Sequence, residues 1–231
     1  MNRKKPYFLK RAVAYLIDLI IVLLLAGIIS TIFVNNENYK SESNKLMELT
    51  KSYTEGKITK EEYTKEFDNV NYYLTKDSTE VTIINLGVAI IYFVVLCYYC
   101  GGITLGKYLM KLRIVSANDK KLNIGHFLLR SLLVNLLLSN IMSIILVLTL
   151  NKDTFISVYP KVSNTLTILL LATVVFIMYR EDGRGLHDLV ASTQVISTKE
   201  EKKNNEFINE ANVIEEKKNT IKSKKEKSVK K

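Results

Sequence analysis

The chain has 231 residues, a formal net charge of +10 and an apolar fraction of 48%. Its apolar residues are concentrated in long blocks, whereas the charged residues fill the stretches between those blocks and the C-terminal tail. This segregation argues against an ordinary soluble domain. A strongly basic chain suits either nucleic acid or an anionic membrane surface. The apolar blocks favour the membrane, so we expect a lipid bilayer and no nucleic acid as the partner.

Four blocks are long and apolar enough to cross a bilayer. They lie at about residues 12–34, 82–100, 131–150 and 162–179. Each is close to the ~20 residues that a helix needs to cross a hydrocarbon core of ~30 Å. A helix also satisfies its backbone hydrogen bonds within the segment, as lipid requires. The sequence therefore predicts an all-α membrane protein with four transmembrane helices.

The first block has a competing interpretation as a cleaved signal peptide, because Arg3, Lys4 and Lys5 precede it. Its apolar run is too long for one, contains Asp18 and lacks an A-x-A exit. We therefore expect the block to be a retained membrane helix.

Basic residues in the connections predict the orientation. Residues 1–11 carry five Lys or Arg and no acid, and residues 101–130 carry six against one Asp. In contrast, residues 35–80 carry more acids than Lys, and residues 151–161 carry two Lys and one Asp. Lys and Arg are enriched in cytoplasmic loops. We expect a multi-pass protein of the cell membrane with both termini in the cytoplasm, which an even number of spans requires.

The loop at residues 35–80 is too long to be a simple connection. It predicts two polar helices, the first at 39–53, separated by a break at 55–57. Thr59 and Glu62 have the spacing of a capping box, with Thr59 as the N-cap of the second helix. We expect an extracytoplasmic helical hairpin that covers the membrane surface.

The middle loop predicts a surface helix and a strand. Residues 105–112 alternate basic and apolar positions at helical spacing, which favours a short helix at the membrane surface with Lys107 and Lys111 reaching anionic lipid headgroups. Residues 113–116 and 192–196 are typical of short strands. We expect these two strands to form a small cytoplasmic β-pairing.

The last 34 residues, 198–231, are rich in Lys, Glu and Asn and poor in apolar residues. Such a segment cannot bury a core, which predicts a disordered or solvated cytoplasmic tail. Its Lys excess would also suit anionic lipid. The preceding residues 1–197 then form one transmembrane domain.

Two short motifs invite functional readings that the context does not support. Residues 101–107 have the P-loop spacing G-x-x-x-x-G-K, but Tyr108 follows where Ser or Thr is needed, and a membrane helix precedes the motif instead of a buried strand. Cys97 and Cys100 form a C-x-x-C pair without the βαβ setting of a redox site. We expect no cofactor, no metal and, for lack of a catalytic cluster, no enzyme.

A charge inside the first apolar block is the sharpest signal. An ionised Asp at the centre of a membrane helix costs about 2.5–3.5 kcal/mol on insertion scales. Something must offset this cost at Asp18, and Arg130, Arg184 and His187 are candidate partners. Arg11 lies two helical turns earlier on the same face. Asp18 is then either a proton or cation site or half of an ion pair that locks helices.

The segment that follows the last block is dense in polar residues. Asp188 in this segment could cap a helix or pair with Arg184 or Arg11, and His187 could titrate near neutral pH. These groups complete a set of charges at the cytoplasmic side of the predicted bundle.

Three ordered motifs resemble those of the RDD family, which is named for one arginine and two aspartates. The motifs are residues 11–18, residues 101–107 continued by 112–115, and residues 185–191. The resemblance covers about 10–35 and 82–197, and it assigns the three charged positions to Arg11, Asp18 and Asp188. It implies a polytopic membrane protein. Because some members are linked to sodium–proton exchange, it also points to transport.

Two functions follow as hypotheses. In the first, the protein exchanges monovalent cations such as Na⁺ for protons, with Asp18 as the intramembrane site. In the second, it is a non-catalytic membrane scaffold or accessory protein, in which Arg11, Asp18 and Asp188 are structural and the hairpin or the tail recruits a protein partner.

Overall fold

The structure is a computed structural model that describes residues 8–34, 37–118, 120–135 and 137–198. These residues form mostly helices, with one two-stranded sheet. The elements in chain order are α1 (Phe8–Phe33), α2 (Glu37–Thr54), α3 (Lys60–Asp77), α4 (Thr79–Ile90), a π-helical segment (Ile91–Leu96), α5 (Cys97–Tyr99), α6 (Leu105–Leu109), β1 (Leu112–Ser116), α7 (Ile124–Val134), α8 (Leu137–Thr149), α9 (Lys152–Tyr179), α10 (Leu186–Val190) and β2 (Thr193–Ser197). Of the predicted tail at 198–231, the structure describes Thr198 alone.

Three continuous helices are long and apolar enough to cross a membrane. They are α1, the run from α4 to α5 (Thr79–Tyr99, here the second span) and α9. A fourth candidate is the pair α7 and α8, whose axes differ by 71°. The described residues therefore contain three candidate spans, or four if the bent pair counts as one. The bend follows Asn135, whose side-chain amide donates to Ser131 Oγ at 3.0 Å.

α1 faces its neighbours with a narrow stripe of mostly small residues. The buried positions recur every four residues and are Ala14, Asp18, Val22, Ala26 and Ser30. Large apolar side chains on the other faces of the helix are exposed, as expected for contact with lipid. Small residues let membrane helices approach closely. α4 and α6 both pack on α1, and Asp18 lies within the packed stripe.

The second span is interrupted by its π-helical segment. Tyr92, Phe93 and Val94 are all buried there, although they are consecutive. A regular α-helix has about 3.6 residues per turn and would point them in different directions. π-helical turns are frequent at functional sites. In this chain the segment directs the hydroxyl of Tyr92 towards α1.

α2 and α3 form the predicted polar hairpin, and the capping box is confirmed. The backbone amide of Glu62 donates to Thr59 Oγ1 at 3.2 Å, and the amide of Thr59 donates to Glu62 Oε2 at 2.8 Å. α3 ends at Asp77 and is followed, after Ser78, by the second span. The hairpin therefore continues almost directly into the bundle.

α9 begins ten residues earlier than predicted, so the expected loop at 151–161 is wrong. Asn151 caps the helix, accepting from the amide of Thr154 at 2.9 Å. Phe155 is buried and packs edge-on against Tyr72 of α3, with ring centroids 5.3 Å apart. Contact with the hairpin stabilises these polar first turns as a helix, which their hydropathy alone does not indicate.

The predicted strand pairing is confirmed. β1 and β2 are antiparallel, with Leu112 opposite Ser197 and Ser116 opposite Thr193. The inward side chains of the sheet belong to a core cluster whose buried members are Ala14, Val94, Cys97, Leu112, Ile114, Phe127 and Val195. We call this end of the bundle, where α1 begins and the second span ends, the sheet end. Both cysteines are free thiols, and Cys97 is a packed helix residue.

Candidate functional site

Asp18 is fully buried, and the second span and the residues after it supply its partners. Tyr92 Oη donates to Oδ1 at 2.7 Å, and Thr104 Oγ1 donates to Oδ2 at 2.5 Å. The backbone amide of Gly106 donates to Oδ1 at 2.7 Å. The ammonium of Lys107 lies 3.5 Å from Oδ2. The carboxylate thus receives three hydrogen bonds and one cation, which together offset its removal from water.

Gly106 is the position that makes this approach possible. A Cβ at this residue would lie 2.1 Å from the carbonyl oxygen of Ala14 and 2.9 Å from Cγ of Asp18. No larger residue fits against the backbone of α1 without displacing it. Residues 101–107, which have the spacing of a P-loop, therefore place the backbone amide of Gly106 against the carboxylate of Asp18.

Lys107 lies beside Asp18, a partner that the sequence did not suggest. Its side chain is 15% exposed, and Nζ donates to Thr104 Oγ1 at 3.0 Å. Burial lowers the pKa of Lys107 below its ordinary value, and the nearby Asp18 acts in the opposite direction. The partner that the structure gives Lys107 is therefore the buried carboxylate, and its contact with lipid headgroups stays a prediction. Lys111 is exposed, and its lipid contact stays a prediction.

Asp188 is the centre of a second buried cluster. Arg11 Nη2 lies 2.7 Å from Oδ2, and Arg130 Nη1 donates to Oδ1. Thr193 Oγ1 donates to Oδ1 at 3.2 Å, and the amide of Gly185 donates to Oδ2 at 3.2 Å. One carboxylate therefore joins α1, α7, β2 and the start of α10.

His187 is 1% exposed and lies next to this cluster. Its Nε2 is 3.3 Å from Oδ2 of Asp188, but neither ring nitrogen has a hydrogen-bond partner within the described part of the chain. Burial, reinforced by the charge of Arg130, lowers the pKa of His187 well below its ordinary value. The lowered pKa favours the uncharged imidazole, whereas the sequence suggested that His187 could titrate near neutral pH.

The partners that the sequence suggested for Asp18 are wrong. Arg130 and His187 lie beside Asp188, and Arg184 pairs with Asp182 at 2.9 Å instead of with Asp188. Hydrogen bonds from Arg180 and Arg184 hold the pKa of Asp182 below its usual range. Of the two partners considered for Asp188, the structure pairs it with Arg11.

Sequence reasoning missed both side-chain hydroxyls that donate to Asp18, as well as the amide of Gly106 and the ammonium of Lys107. Thr104 lies within the motif at 101–107, and its polar side chain between apolar residues was a usable signal. Tyr92 carries no such signal, because an aromatic residue in an apolar block is usually a packing residue. Among the residues that the structure describes, no group of His, Cys, Asp and Glu could hold a metal ion.

A model of the RDD family matches residues 5–192. The chain belongs to the RDD family. In this RDD protein, the arginine and the two aspartates singled out by the motif resemblance, Arg11, Asp18 and Asp188, are in the two buried clusters. The family and the apolar helices together make it a membrane protein. No match was found among the curated proteins or among the solved structures.

Proposed function

We propose that this RDD protein is a non-catalytic membrane scaffold or accessory protein whose buried charges lock its helices together. The observation that carries the proposal is the saturation of both carboxylates by donors of the chain itself. Asp18 receives three hydrogen bonds and Lys107, and Asp188 receives two arginines, a hydroxyl and an amide. In each cycle the carboxylate of an ion-exchange site has to change the groups that it contacts. The groups that contact Asp18 and Asp188 are instead fixed on packed elements.

The connectivity of the two clusters supports a structural role. The Asp18 cluster joins α1 to the second span and α6, and the Asp188 cluster joins α1 and α7 to α10 and β2. Removing one partner of a buried charge pair costs about 3–5 kcal/mol. Two such clusters would hold the sheet end of the bundle in one arrangement.

The proposed location is the cell membrane, with the sheet end and both termini in the cytoplasm. The excess of Lys and Arg in residues 1–11 and 101–130 supports this orientation. The α2–α3 hairpin then lies outside the cytoplasm. α2 packs on α3 and has no buried residue, so its face away from α3 is available to a protein partner.

Cation–proton exchange is the second candidate, and one observation favours it. Lys107, the cation beside Asp18, also lines a cavity, so the pair is within reach of a mobile ion. Burial lowers the pKa of Lys107, which brings loss of its proton closer to neutral pH. Once Lys107 has lost its proton, Na⁺ would supply the positive charge next to the carboxylate of Asp18.

Flux and stability, measured on the same preparations, separate the two candidates. The native chain and Asp18→Asn are reconstituted in proteoliposomes with an internal pH dye, and a Na⁺ gradient is applied. Their thermal unfolding is followed in neutral detergent, with Asp153→Asn as the control because Asp153 is exposed. The scaffold proposal expects no Na⁺-driven pH change and a lower melting temperature for Asp18→Asn alone. Na⁺-driven flux that Asp18→Asn abolishes without loss of stability would overturn it in favour of exchange.

A further inference from the structure

A cavity of about 240 Å³ lies between α1, α7 and α9 at the sheet end. Most of its lining residues are apolar, among them Phe8, Leu170 and Ile177. The rest of the wall is polar and includes three cations from the two charge clusters, Arg11, Lys107 and Arg130, together with His187. Such a space, apolar on most sides and basic on one, matches a ligand that itself has an apolar and an anionic part.

The cavity wall has an excess of positive charge. None of its described lining residues is Asp or Glu, and Asp18 and Asp188 are both fully buried. The two clusters together hold three cations, Arg11, Lys107 and Arg130, against these two carboxylates. An uncompensated charge in a low-dielectric interior is costly. One bound anion would bring the clusters to neutrality.

Unused donors face the same space. Arg130 uses Nη1 for Asp188 and Thr193, and within the described ranges no partner is found for its Nε or Nη2. The ring nitrogens of His187 also lack a hydrogen bond there, but both are buried and neither is reached from the open space. Buried polar groups are paired in most proteins, so unpaired donors of Arg130, a buried side chain that lines the cavity, indicate a missing ligand. Carboxylate and phosphate are the anions that a guanidinium recognises best.

We propose that this cavity binds the anionic head of a membrane amphiphile, a carboxylate or phosphate that carries an acyl chain. Arg130 and Lys107 contact the anion, and the apolar walls contact the first carbons of the chain. The rest of the chain lies outside the cavity among the surrounding lipids, beside the exposed apolar faces of α1 and α9. The site is independent of the scaffold role, because a transporter with the same clusters would have the same cavity.

The test is a thermal-shift titration of the full chain in neutral detergent. The probes are oleate, phosphatidylglycerol, phosphatidylcholine and inorganic phosphate. We expect saturable stabilisation by oleate or phosphatidylglycerol, and the stronger of the two identifies the source of the anion. Stabilisation by phosphatidylcholine that equals theirs would overturn the charge argument. An equal effect of inorganic phosphate would overturn the role of the apolar walls.

Variants that fill the cavity without altering a charged residue complete the test. Val174→Trp fills it from α9 and Ala12→Leu fills it from α1. The control is Val175→Trp, since Val175 is 50% exposed and faces away from the cavity. We expect at least tenfold weaker binding for each filling variant and no change for the control. Unchanged binding by whichever filling variant retains a native melting transition would refute the site.

Discussion

The backbone amide of Gly106 donates to Oδ1 of Asp18 at 2.7 Å, between residues 88 positions apart in the chain. A Cβ on Gly106 would lie 2.1 Å from the Ala14 carbonyl oxygen. Gly106→Ala should therefore push α6 from α1 and weaken this bond, at a cost of about 2–4 kcal/mol from overpacking and a lost charged hydrogen bond.

The measurement is the unfolding free energy in mixed micelles. Gly87→Ala is the control, because a Cβ at Gly87 meets nothing within 4 Å and alanine is the better helix former. We expect Gly87→Ala to be neutral or slightly stabilising. Equal destabilisation by both substitutions would contradict the close approach of α6 to α1.

The pairing of Asp18 with Lys107 predicts non-additive substitutions. Asp18→Asn leaves a buried ammonium without its carboxylate, and Lys107→Met leaves the carboxylate without its cation, so each should cost about 3–5 kcal/mol. The double substitution removes both charges and should cost clearly less than the sum. A double-mutant cycle on unfolding free energies checks this, and an additive result would rule out the pair.

Asp182 and Asp188 are six residues apart and provide a matched comparison. Asp188→Asn leaves the buried arginines Arg11 and Arg130 without their carboxylate and should cost about 3–5 kcal/mol. Asp182 pairs with Arg180 and Arg184, but its side chain is 32% exposed, so Asp182→Asn should cost at most about 1 kcal/mol. Chemical unfolding of both variants gives the difference. Similar costs would show that Asp188 is not a buried junction.

Burial of His187 predicts a dependence of stability on pH. Its pKa is lowered in the folded chain, so the unfolded chain takes up a proton first as the pH falls below about 6.5, the ordinary value for His. His187 therefore opposes folding at low pH, and stability falls as the pH drops from 7 to 5. His187→Gln should flatten that slope.

The other histidine of the chain, His126, is the control for this pH experiment. It lies in the first turn of α7, where its backbone amide donates to Asn123 Oδ1 at 3.2 Å. His126→Gln keeps a side chain that can return a hydrogen bond to the cap. The assignment to His187 requires a flatter slope for His187→Gln than for His126→Gln, and equal slopes for the two variants would contradict it.

Local patterns were enough to predict several elements of this fold. A few neighbouring residues determine each of three features: the capping box at Thr59, the strand pairing and the apolar stretch of α1. Asp18 was also visible, because a charge between apolar residues is conspicuous, and Asp188 was visible through the motif at 185–191. These are features that periodicity and residue type encode directly.

Features that depend on contact across the chain were not predictable in this way. The sequence contains several cations near the sheet end, and their order along the chain does not reveal that Lys107 serves Asp18 while Arg130 serves Asp188. The packing of Phe155 on Tyr72 stabilises the first turns of α9, and the hydropathy of these residues does not indicate that contact. Packing of this kind decides helix ends and charge partners after the local preferences are set.

The late position of Asp188 in the chain has a consequence for biosynthesis. Arg11 and Arg130 are synthesised before the segment that holds their carboxylate, and β1 is likewise synthesised before β2. A nascent chain that stops before residue 185 leaves two buried arginines unneutralised and an open strand edge. The charge cluster and the sheet are therefore completed together, once the chain has been translated through β2.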